Sequence, residues 1–321
     1  MATTTVAAGV DLGGTKIQTV VLRDEEVVGS ARVLTPQTGD PSDVIDAIVA
    51  TIRTSLKAGA LADADLGRIG IGTPGEIDAR AGAVQLAANV PGFTDRVELG
   101  PPVSAAFEGV QVTVDNDVSV GVLGEHRRGA GRPFKNLLGV WVGTGVGGGL
   151  VIEGELHDGR GTAGEIGHMV AKPGGLRCTC GRRGCVEAYA GRVSMERQAR
   201  RLAKRGHKTS LFSIMRQRGR QRLSSSVYAM ALEGGDRMTH KLIEDATWAL
   251  GIGLASAQNL LDLEAIIVGG GLGDRLGQPF VDRIVAQMMP HLFVSSNPPA
   301  VVRTELGDLA GAVGAAVLVG G

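Results

Sequence analysis

One arrangement, a strand followed by a glycine turn and a second strand, occurs twice in this 321-residue chain and constrains its fold more than any other feature. The first turn is Gly13-Gly14-Thr15, between strands predicted at 5–12 and 16–23. The second, about 130 residues later, is the glycine-rich stretch 143–149, between strands predicted at 137–142 and 150–153. One such hairpin needs glycine only for a tight turn. Two of them, each opening a separate half of the chain, favour a duplicated nucleotide-binding fold.

The turns offer backbone N–H groups, which predicts that they hold a phosphate from two sides. Gly143, Gly145 and Gly148 formally match a dinucleotide fingerprint, but a strand follows them where that fingerprint requires a helix. A third glycine run follows the strand 265–268 and precedes a helix expected from about 279 to 289. This order suggests a binding site for adenosine at the end of the strand. The predicted nucleotide-binding residues are Asp11, Gly13, Gly14, Thr15, Lys16, Thr144, Gly145, Gly269, Gly270 and Gly271.

Helical and strand patterns alternate along the chain. Apolar periodicity predicts helices at 43–58, 237–261 and 309–319, and strands are expected at 68–72 and 110–114. The alternation predicts layered α/β lobes.

The 33 basic and 33 acidic residues give no net charge, so we expect neither nucleic acid nor a membrane as a partner. No signal peptide is visible at the N-terminus, and we expect a cytoplasmic enzyme.

All three cysteines lie within eight positions, and a histidine precedes them by ten residues. His168, Cys178, Cys180 and Cys185 therefore predict a structural Zn²⁺ site with four protein ligands and no open position for water. The alternative is a group of free thiols, whereas a disulfide would leave one cysteine over. Because Glu165 and Glu187 flank the ligands, zinc would also fix two carboxylates.

Asp117 lies between a predicted strand and a helix expected at 118–128. It is a candidate N-cap of that helix and also a candidate general base, because strand ends in α/β lobes direct side chains toward ligands. Asp11 is similarly ambiguous. It either orients the turn that follows or holds Mg²⁺ or its waters beside the phosphates.

These motifs, in this order, resemble the ROK family (repressors, open reading frames, kinases), and the resemblance covers nearly the whole chain. Its most specific part is Cys178-x-Cys-Gly-x-x-Gly-Cys-x-Glu187 with the upstream Glu165-x-Gly-His168. The resemblance implies an actin-like ATPase fold of two ribonuclease-H-like α/β lobes around a cleft, with a zinc-binding loop. We expect the smaller lobe at 1–117, completed by 304–321, and the larger at 118–303.

The resemblance also implies roles for individual residues. Asp117 would deprotonate the sugar 6-hydroxyl, and a further set would contact the sugar: Gly75, Asn89, Asn116, Glu165, His168 and Glu187. Ser119 stands where many members have asparagine, which keeps the base but leaves the hexose open. His168 could use one ring nitrogen for zinc and the other for a hydroxyl.

The expected function is ATP-dependent phosphorylation of a hexose, most simply glucose to glucose 6-phosphate, by a homodimer or homotetramer. The alternatives are another hexose (fructose, allose or an N-acetylhexosamine) or polyphosphate as the donor. A basic run of eleven Lys or Arg residues with one acid at 192–222 would suit polyphosphate, although such runs are more often solvated helix faces. A sugar-responsive transcriptional regulator is disfavoured, because only about ten residues precede Asp11, too few for a helix-turn-helix domain.

Overall fold

The computed structural model describes residues 6–24, 26–87 and 89–320. The chain divides into two compact units. Unit 1 comprises Met1–Arg132 and Asp308–Gly321, and unit 2 comprises Pro133–Gly307. Unit 1 ends at Arg132, later in the chain than the lobe boundary expected at residue 117. The lobe boundaries stay a prediction. Within the described ranges, no helix is both long and apolar enough to cross a membrane.

Unit 1 is built on a five-stranded mixed sheet in the order β3-β2-β1-β4-β8, with a small three-stranded sheet beside it. Its strands are β1 Val6–Leu12, β2 Lys16–Arg23, β3 Glu26–Leu34, β4 Arg68–Thr73, β5 Glu76–Asp78, β6 Ala83–Gln85, β7 Val97–Glu98 and β8 Gln111–Asn116. Its helices are α1 Pro41–Ala58, α2 Gly100–Ala106, α3 Asp117–Arg128 and, from the C-terminal segment, α11 Ala310–Gly320. The predicted start of β1, Thr5, lies outside the described residues.

The apolar face of α1 packs on the main sheet of unit 1, as its periodicity predicts. Val44, Ile48, Ile52 and Leu56 are buried with Ile17 and Val21 of β2 in one core. The helix begins where Asp40 accepts a hydrogen bond from the Ser42 backbone N–H. Burial of these side chains is the main driving force for the layer.

Small residues allow α11 to approach the other face of unit 1 closely. A Cβ added to Gly314 would lie 1.6 Å from the carbonyl oxygen of Val120 in α3. One added to Gly9 in β1 would lie 2.0 Å from the carbonyl oxygen of Ala312. Glycine is therefore needed where helix backbone meets strand or helix backbone.

Unit 2 repeats the arrangement with a second five-stranded sheet in the order β11-β10-β9-β12-β13. In both sheets three antiparallel strands are followed by two parallel ones, so the predicted duplication is visible in the topology. The strands are β9 Leu137–Val142, β10 Val146–Ile152, β11 Glu155–Leu156, β12 Ala265–Gly269 and β13 Ala300–Arg303. The helices are α4 Glu187–Ala190, α5 Arg192–Lys204, α6 Leu211–Gln217, α7 Ser225–Glu233, α8 Arg237–Leu261, α9 Gly270–Leu276 and α10 Gln278–Met288.

Two local predictions in unit 2 are wrong. The loop expected at 143–149 is only a three-residue turn, because β10 begins at Val146 and its glycines pair with β9. Glycine has both backbone hydrogen-bonding groups, so nothing prevents it from continuing a ladder. The third glycine run is not a loop, because α9 begins at Gly270, directly after β12. The helix expected from about 279 to 289 is confirmed as α10.

Candidate active site

Three neighbouring parallel strands of unit 1 end at one edge of the sheet. Asp11 of β1 lies opposite Gly72 of β4, and Thr73 of β4 lies opposite Asn116 of β8. Gly75 follows β4 with a φ of 109°, a conformation that favours glycine. The parallel register therefore brings together predicted residues from three separate sequence motifs, at the sheet edge where α/β folds bind ligands.

Asn116 is the N-cap of α3, so the prediction that Asp117 caps this helix is wrong. The side-chain oxygen of Asn116 accepts hydrogen bonds from the backbone N–H groups of Val118 at 3.0 Å and Ser119 at 3.3 Å. Asp117 is the first helical residue, and its Oδ1 accepts one bond from the Val118 N–H. Because Asn116 already satisfies the helix end, Asp117 is not required there as a cap.

The two carboxylates at this edge hold protons more tightly than usual. Burial raises the pKa of Asp117 from 3.8 to about 6. Burial, followed by the charge of Asp117, raises the pKa of Asp11 from 3.8 to about 7. A Cβ added to Gly311 of α11 would lie 2.8 Å from the Asp11 carboxyl carbon, so that helix crowds Asp11. Paired, shifted carboxylates are typical of functional sites.

The first glycine turn is held tightly within unit 1. The Gly13 N–H donates to the Lys16 carbonyl at 3.0 Å, and the Thr35 hydroxyl donates to the Gly13 carbonyl at 2.6 Å. A Cβ added to Gly14 would lie 1.8 Å from the Asn89 carbonyl oxygen, so the turn abuts another predicted sugar-contact segment. Lys16 Nζ lies 3.3 Å from a carboxylate oxygen of Asp308.

The four predicted zinc ligands converge in unit 2. One ligand atom from each of His168, Cys178, Cys180 and Cys185 lies within 4.8 Å of every other. The Cys180 and Cys185 sulfurs are 3.8 Å apart, and tetrahedral zinc with bonds of about 2.3 Å would hold sulfurs about 3.8 Å apart. The donor set and spacing fit Zn²⁺, and the predicted cluster is confirmed as a possible site. Hydrogen bonding to Arg182 lowers the pKa of Cys180 to about 6, which favours a thiolate ligand.

His168 presents its two ring nitrogens to different neighbours. Nδ1 lies 3.9 Å from the Cys178 sulfur, and Nε2 lies 3.8 Å from an Oε2 of Glu165. The ring can therefore give Nδ1 to a metal and keep Nε2 for another partner. Glu165 is 58% exposed, so its carboxylate is accessible beside that nitrogen.

Glu187 connects the cysteine loop to the second glycine turn. Its Oε1 accepts from the Thr179 hydroxyl and lies 3.5 Å from the Cys178 sulfur. Its Oε2 accepts from the Val146 backbone N–H at 3.1 Å. A Cβ on Gly145 would lie 2.3 Å from Oε2, so a side chain at that position would displace the Glu187 carboxylate. The carboxylate thus lies between the zinc ligands and the turn.

The third glycine run lies against the second turn. A Cβ added to Gly270, which has a φ of 81°, would lie 2.7 Å from the Val142 backbone nitrogen. Gly270 therefore meets the end of β9 just before Gly143. Within unit 2 the structure brings together the predicted residues Thr144, Gly145 and Gly270 on adjacent backbone segments.

Comparison with known proteins identifies the family. A profile of the ROK family matches residues 7–321. A glucokinase of Streptomyces coelicolor is 33% identical over 97% of this chain and 96% of its own length. An N-acetyl-D-glucosamine kinase of Photobacterium profundum is 32% identical, over 97% and 98%. The chain belongs to the ROK family. A ROK glucokinase of Streptomyces griseus, solved with glucose and AMPPNP, superposes with a TM-score of 0.79 at 32% identity and 98% coverage of both chains.

This ROK protein is a sugar kinase, a phosphotransferase with the actin-like ATPase fold of its solved relatives. Sequence reasoning missed three of its polar contacts. Thr179 binds Glu187, Asp308 binds Lys16, and Arg192 binds Thr144. Thr179 lies inside a motif and could have been found there. Asp308 carried no signal, because 291 intervening residues separate it from Lys16.

Proposed function

We propose that this ROK sugar kinase transfers the γ-phosphate of ATP to the 6-hydroxyl of a hexose, with glucose as the first candidate. The observation that carries the proposal is the Asp117 carboxylate. This carboxylate lies at the carboxyl end of β8 and is not needed as a helix cap, because Asn116 caps α3. Burial raises the pKa of Asp117 to about 6. A base of that pKa is ionised near neutral pH yet strong enough to accept a hydroxyl proton.

In the proposed reaction Asp117 accepts the proton of the 6-hydroxyl as its oxygen attacks the γ-phosphorus. The bond from that phosphorus to the β,γ-bridging oxygen breaks, and ADP leaves. Positioning and charge stabilisation supply most of the catalysis in such transfers. The Asn116 side-chain oxygen is occupied by α3, so we assign its amide N–H group to the sugar.

The ring hydroxyls are proposed to donate to the carboxylates of Glu165 and Glu187 and to accept from the imidazole of His168. Additional sugar contacts are proposed at Gly75 and Asn89. Each hydroxyl both donates and accepts, so carboxylates beside an imidazole can distinguish stereoisomers. The exposed Glu165 beside His168 Nε2 supports this assignment. Glu187 already has backbone and hydroxyl partners, which would fix its orientation before sugar arrives.

The donor is proposed to bind the glycine turns, with Lys16 and Thr144 beside the phosphates. Solved neighbours of this chain include a glucokinase with the ATP analogue AMPPNP, which supports ATP as donor. Asp11 is the proposed carboxylate for Mg²⁺, because it lies at the first turn. Burial raises its pKa to about 7 and so disfavours the ionised carboxylate, which a nearby cation would stabilise. Mg²⁺ would neutralise phosphate charge.

Zn²⁺ would be held by His168, Cys178, Cys180 and Cys185 and would stabilise the loop that carries Glu187. Four protein ligands leave no position for water, so a structural role follows. The bound metal would also fix which ring nitrogen of His168 faces the sugar.

A coupled assay with ATP and Mg²⁺ tests the proposal across glucose, fructose, allose, mannose and N-acetylglucosamine. We expect the highest kcat/KM with glucose. Because an N-acetyl-D-glucosamine kinase is a similarly close relative, rapid turnover of that sugar without glucose turnover would overturn the glucose assignment and keep the kinase. Transfer from polyphosphate but not from ATP would overturn the donor. Absence of transfer to every hexose would reject the proposed reaction.

A further inference from the structure

Arg192 differs from every other cation of the basic run. Of the eleven Lys and Arg residues at 192–222, ten have exposed side chains, as expected for a solvated face. Arg192 alone is partly buried, at the first position of α5. Long cationic side chains are normally extended into water, so a partly buried guanidinium needs a local reason.

The surroundings of Arg192 are the second glycine turn. Its backbone N–H donates to the Gly143 carbonyl at 3.1 Å, and the next N–H, of Val193, donates to the Thr144 carbonyl at 3.2 Å. Its Nη2 donates to the Thr144 hydroxyl at 3.0 Å, and this end of the side chain is open to solvent. Backbone and side chain of one residue thus bind the turn that is proposed to hold the donor.

Within the described ranges of the chain, Arg192 forms no ion pair with an acidic side chain. The acid on the same helix, Glu196, is occupied: Oε1 accepts from Arg200 at 2.6 and 2.8 Å, and Oε2 accepts from the Leu223 N–H at 3.0 Å. Arg222 approaches the same Oε2 at 3.6 Å. The Nε of Arg192 is buried without a hydrogen-bond partner.

A partly buried charge without an ion-pair partner costs stability unless something else requires it. Burial accordingly lowers the pKa of Arg192. Arg222 also lowers it, whereas Tyr228 and Glu196 act in the opposite direction without cancelling the effect of burial. An anion at the exposed Nη end would supply the missing partner. A forked guanidinium suits phosphate oxygens especially well, since two parallel N–H groups can bind them.

We propose that Arg192 binds the phosphates of the donor nucleotide, together with the Thr144 hydroxyl and the N–H groups of the second turn. The inference rests on the proposed function, because it assumes that this turn holds a nucleoside triphosphate. The proposed phosphate site then includes a cation of unit 2, Arg192, in addition to the glycine turns. The sequence of the second turn alone does not reveal this cation. Arg192 is then a donor-binding residue, and the other ten cations are solvated.

A merely structural Arg192 would instead brace the turn through Thr144. The two roles predict different ligand dependence. A brace supports every ligand of the turn equally, whereas a phosphate contact matters only for ligands that carry phosphates. Adenosine and ATP share the base and ribose and differ in the triphosphate, so the pair separates the roles.

The test compares wild type, Arg192→Gln and Arg192→Lys with Arg201→Gln, an exposed cation of the same helix, as the matched control. Calorimetry measures the binding of ATP–Mg²⁺ and of adenosine, and the coupled assay gives KM for ATP and for the hexose. We expect Arg192→Gln to weaken ATP binding about 10- to 100-fold and to leave adenosine binding and the hexose KM unchanged. Arg192→Lys should recover part of the loss, because it keeps the charge without the fork.

The inference is overturned if Arg192→Gln weakens adenosine and ATP equally, if it binds ATP like wild type, or if Arg201→Gln causes the same loss. A melting curve of each variant shows that the compared proteins are folded. Failure of the proposed function is a separate result: wild type itself would then transfer no phosphate from ATP to any hexose.

Discussion

The carboxylate of Glu187 accepts a hydrogen bond from the backbone N–H of Val146 at 3.1 Å. Its other oxygen contacts Thr179 and lies 3.5 Å from the Cys178 sulfur. The loop that carries the zinc ligands is therefore joined to the second glycine turn by one side chain. If the proposed sugar and nucleotide contacts are right, bound zinc would therefore affect both of them.

Removal of zinc should weaken hexose binding first and ATP binding to a smaller extent. The proposed hexose contacts at His168 and Glu187 depend directly on the loop, whereas the turn keeps its hydrogen bonds to α5. We expect hexose affinity to fall about 10- to 100-fold, the range over which loss of a side chain that orients a metal ligand changes metal affinity or activity. Calorimetry with glucose and with AMPPNP, before and after chelation, measures both. Equal loss of the two affinities would show that the metal only maintains the fold.

Asp117→Asn should lower kcat about 100- to 10,000-fold while hexose binding remains, because asparagine keeps the shape and cannot accept a proton. In wild type, kcat/KM should fall as pH falls through about 6, since burial raises the pKa of Asp117 to that value and the protonated acid is no base. Asp46→Asn, an exposed acid on α1, is the control. Retention of activity in Asp117→Asn would exclude it as the base.

Asp11→Asn should stabilise the protein at neutral and alkaline pH and weaken Mg²⁺–ATP binding. Burial raises the pKa of Asp11 from 3.8 to about 7, so the folded protein holds a proton that the unfolded chain has released between these values. Stability therefore falls as pH rises through this window, and the neutral amide removes the effect, a gain of about 1–3 kcal/mol. Urea unfolding at acid and alkaline pH measures it. An equal gain at both pH values would contradict the cause given.

Gly314→Ala should destabilise unit 1 by about 1–3 kcal/mol, although alanine normally favours a helix. The new methyl would lie 1.6 Å from the Val120 carbonyl oxygen, so α3 and α11 must separate. Gly273→Ala in α9 is the matched control, because its nearest heavy atom would be 3.6 Å away. Chemical denaturation of both variants tests the contrast. A stabilised Gly314→Ala would mean that the two helices separate at little energetic cost.

Local patterns predicted much of this structure. The hairpin strands β2 and β9 and the long helix α8 have the predicted bounds, because turn glycines and apolar periodicity specify them locally. The zinc ligands were predictable because four soft ligands lie within eighteen residues.

Other features depend on contacts that sequence spacing does not reveal. Asn116 and Asp117 can both cap a helix, and only backbone geometry shows that the cap begins at Asn116. The strand pairing of Gly147 and Gly148 depends on β9, and glycine alone indicates a turn as readily. Arg192 looks like any cation of its run until its burial is known.

The close packing of α11 on β1 also has a consequence for biosynthesis. The helix that covers Gly9 and crowds Asp11 is translated only after all of Pro133–Gly307. The sheet of unit 1 therefore cannot receive this helix until synthesis ends, and the part of the sheet that α11 covers stays exposed until then. The half of the enzyme that is made first is thus completed last, and a chaperone would be needed most during that interval.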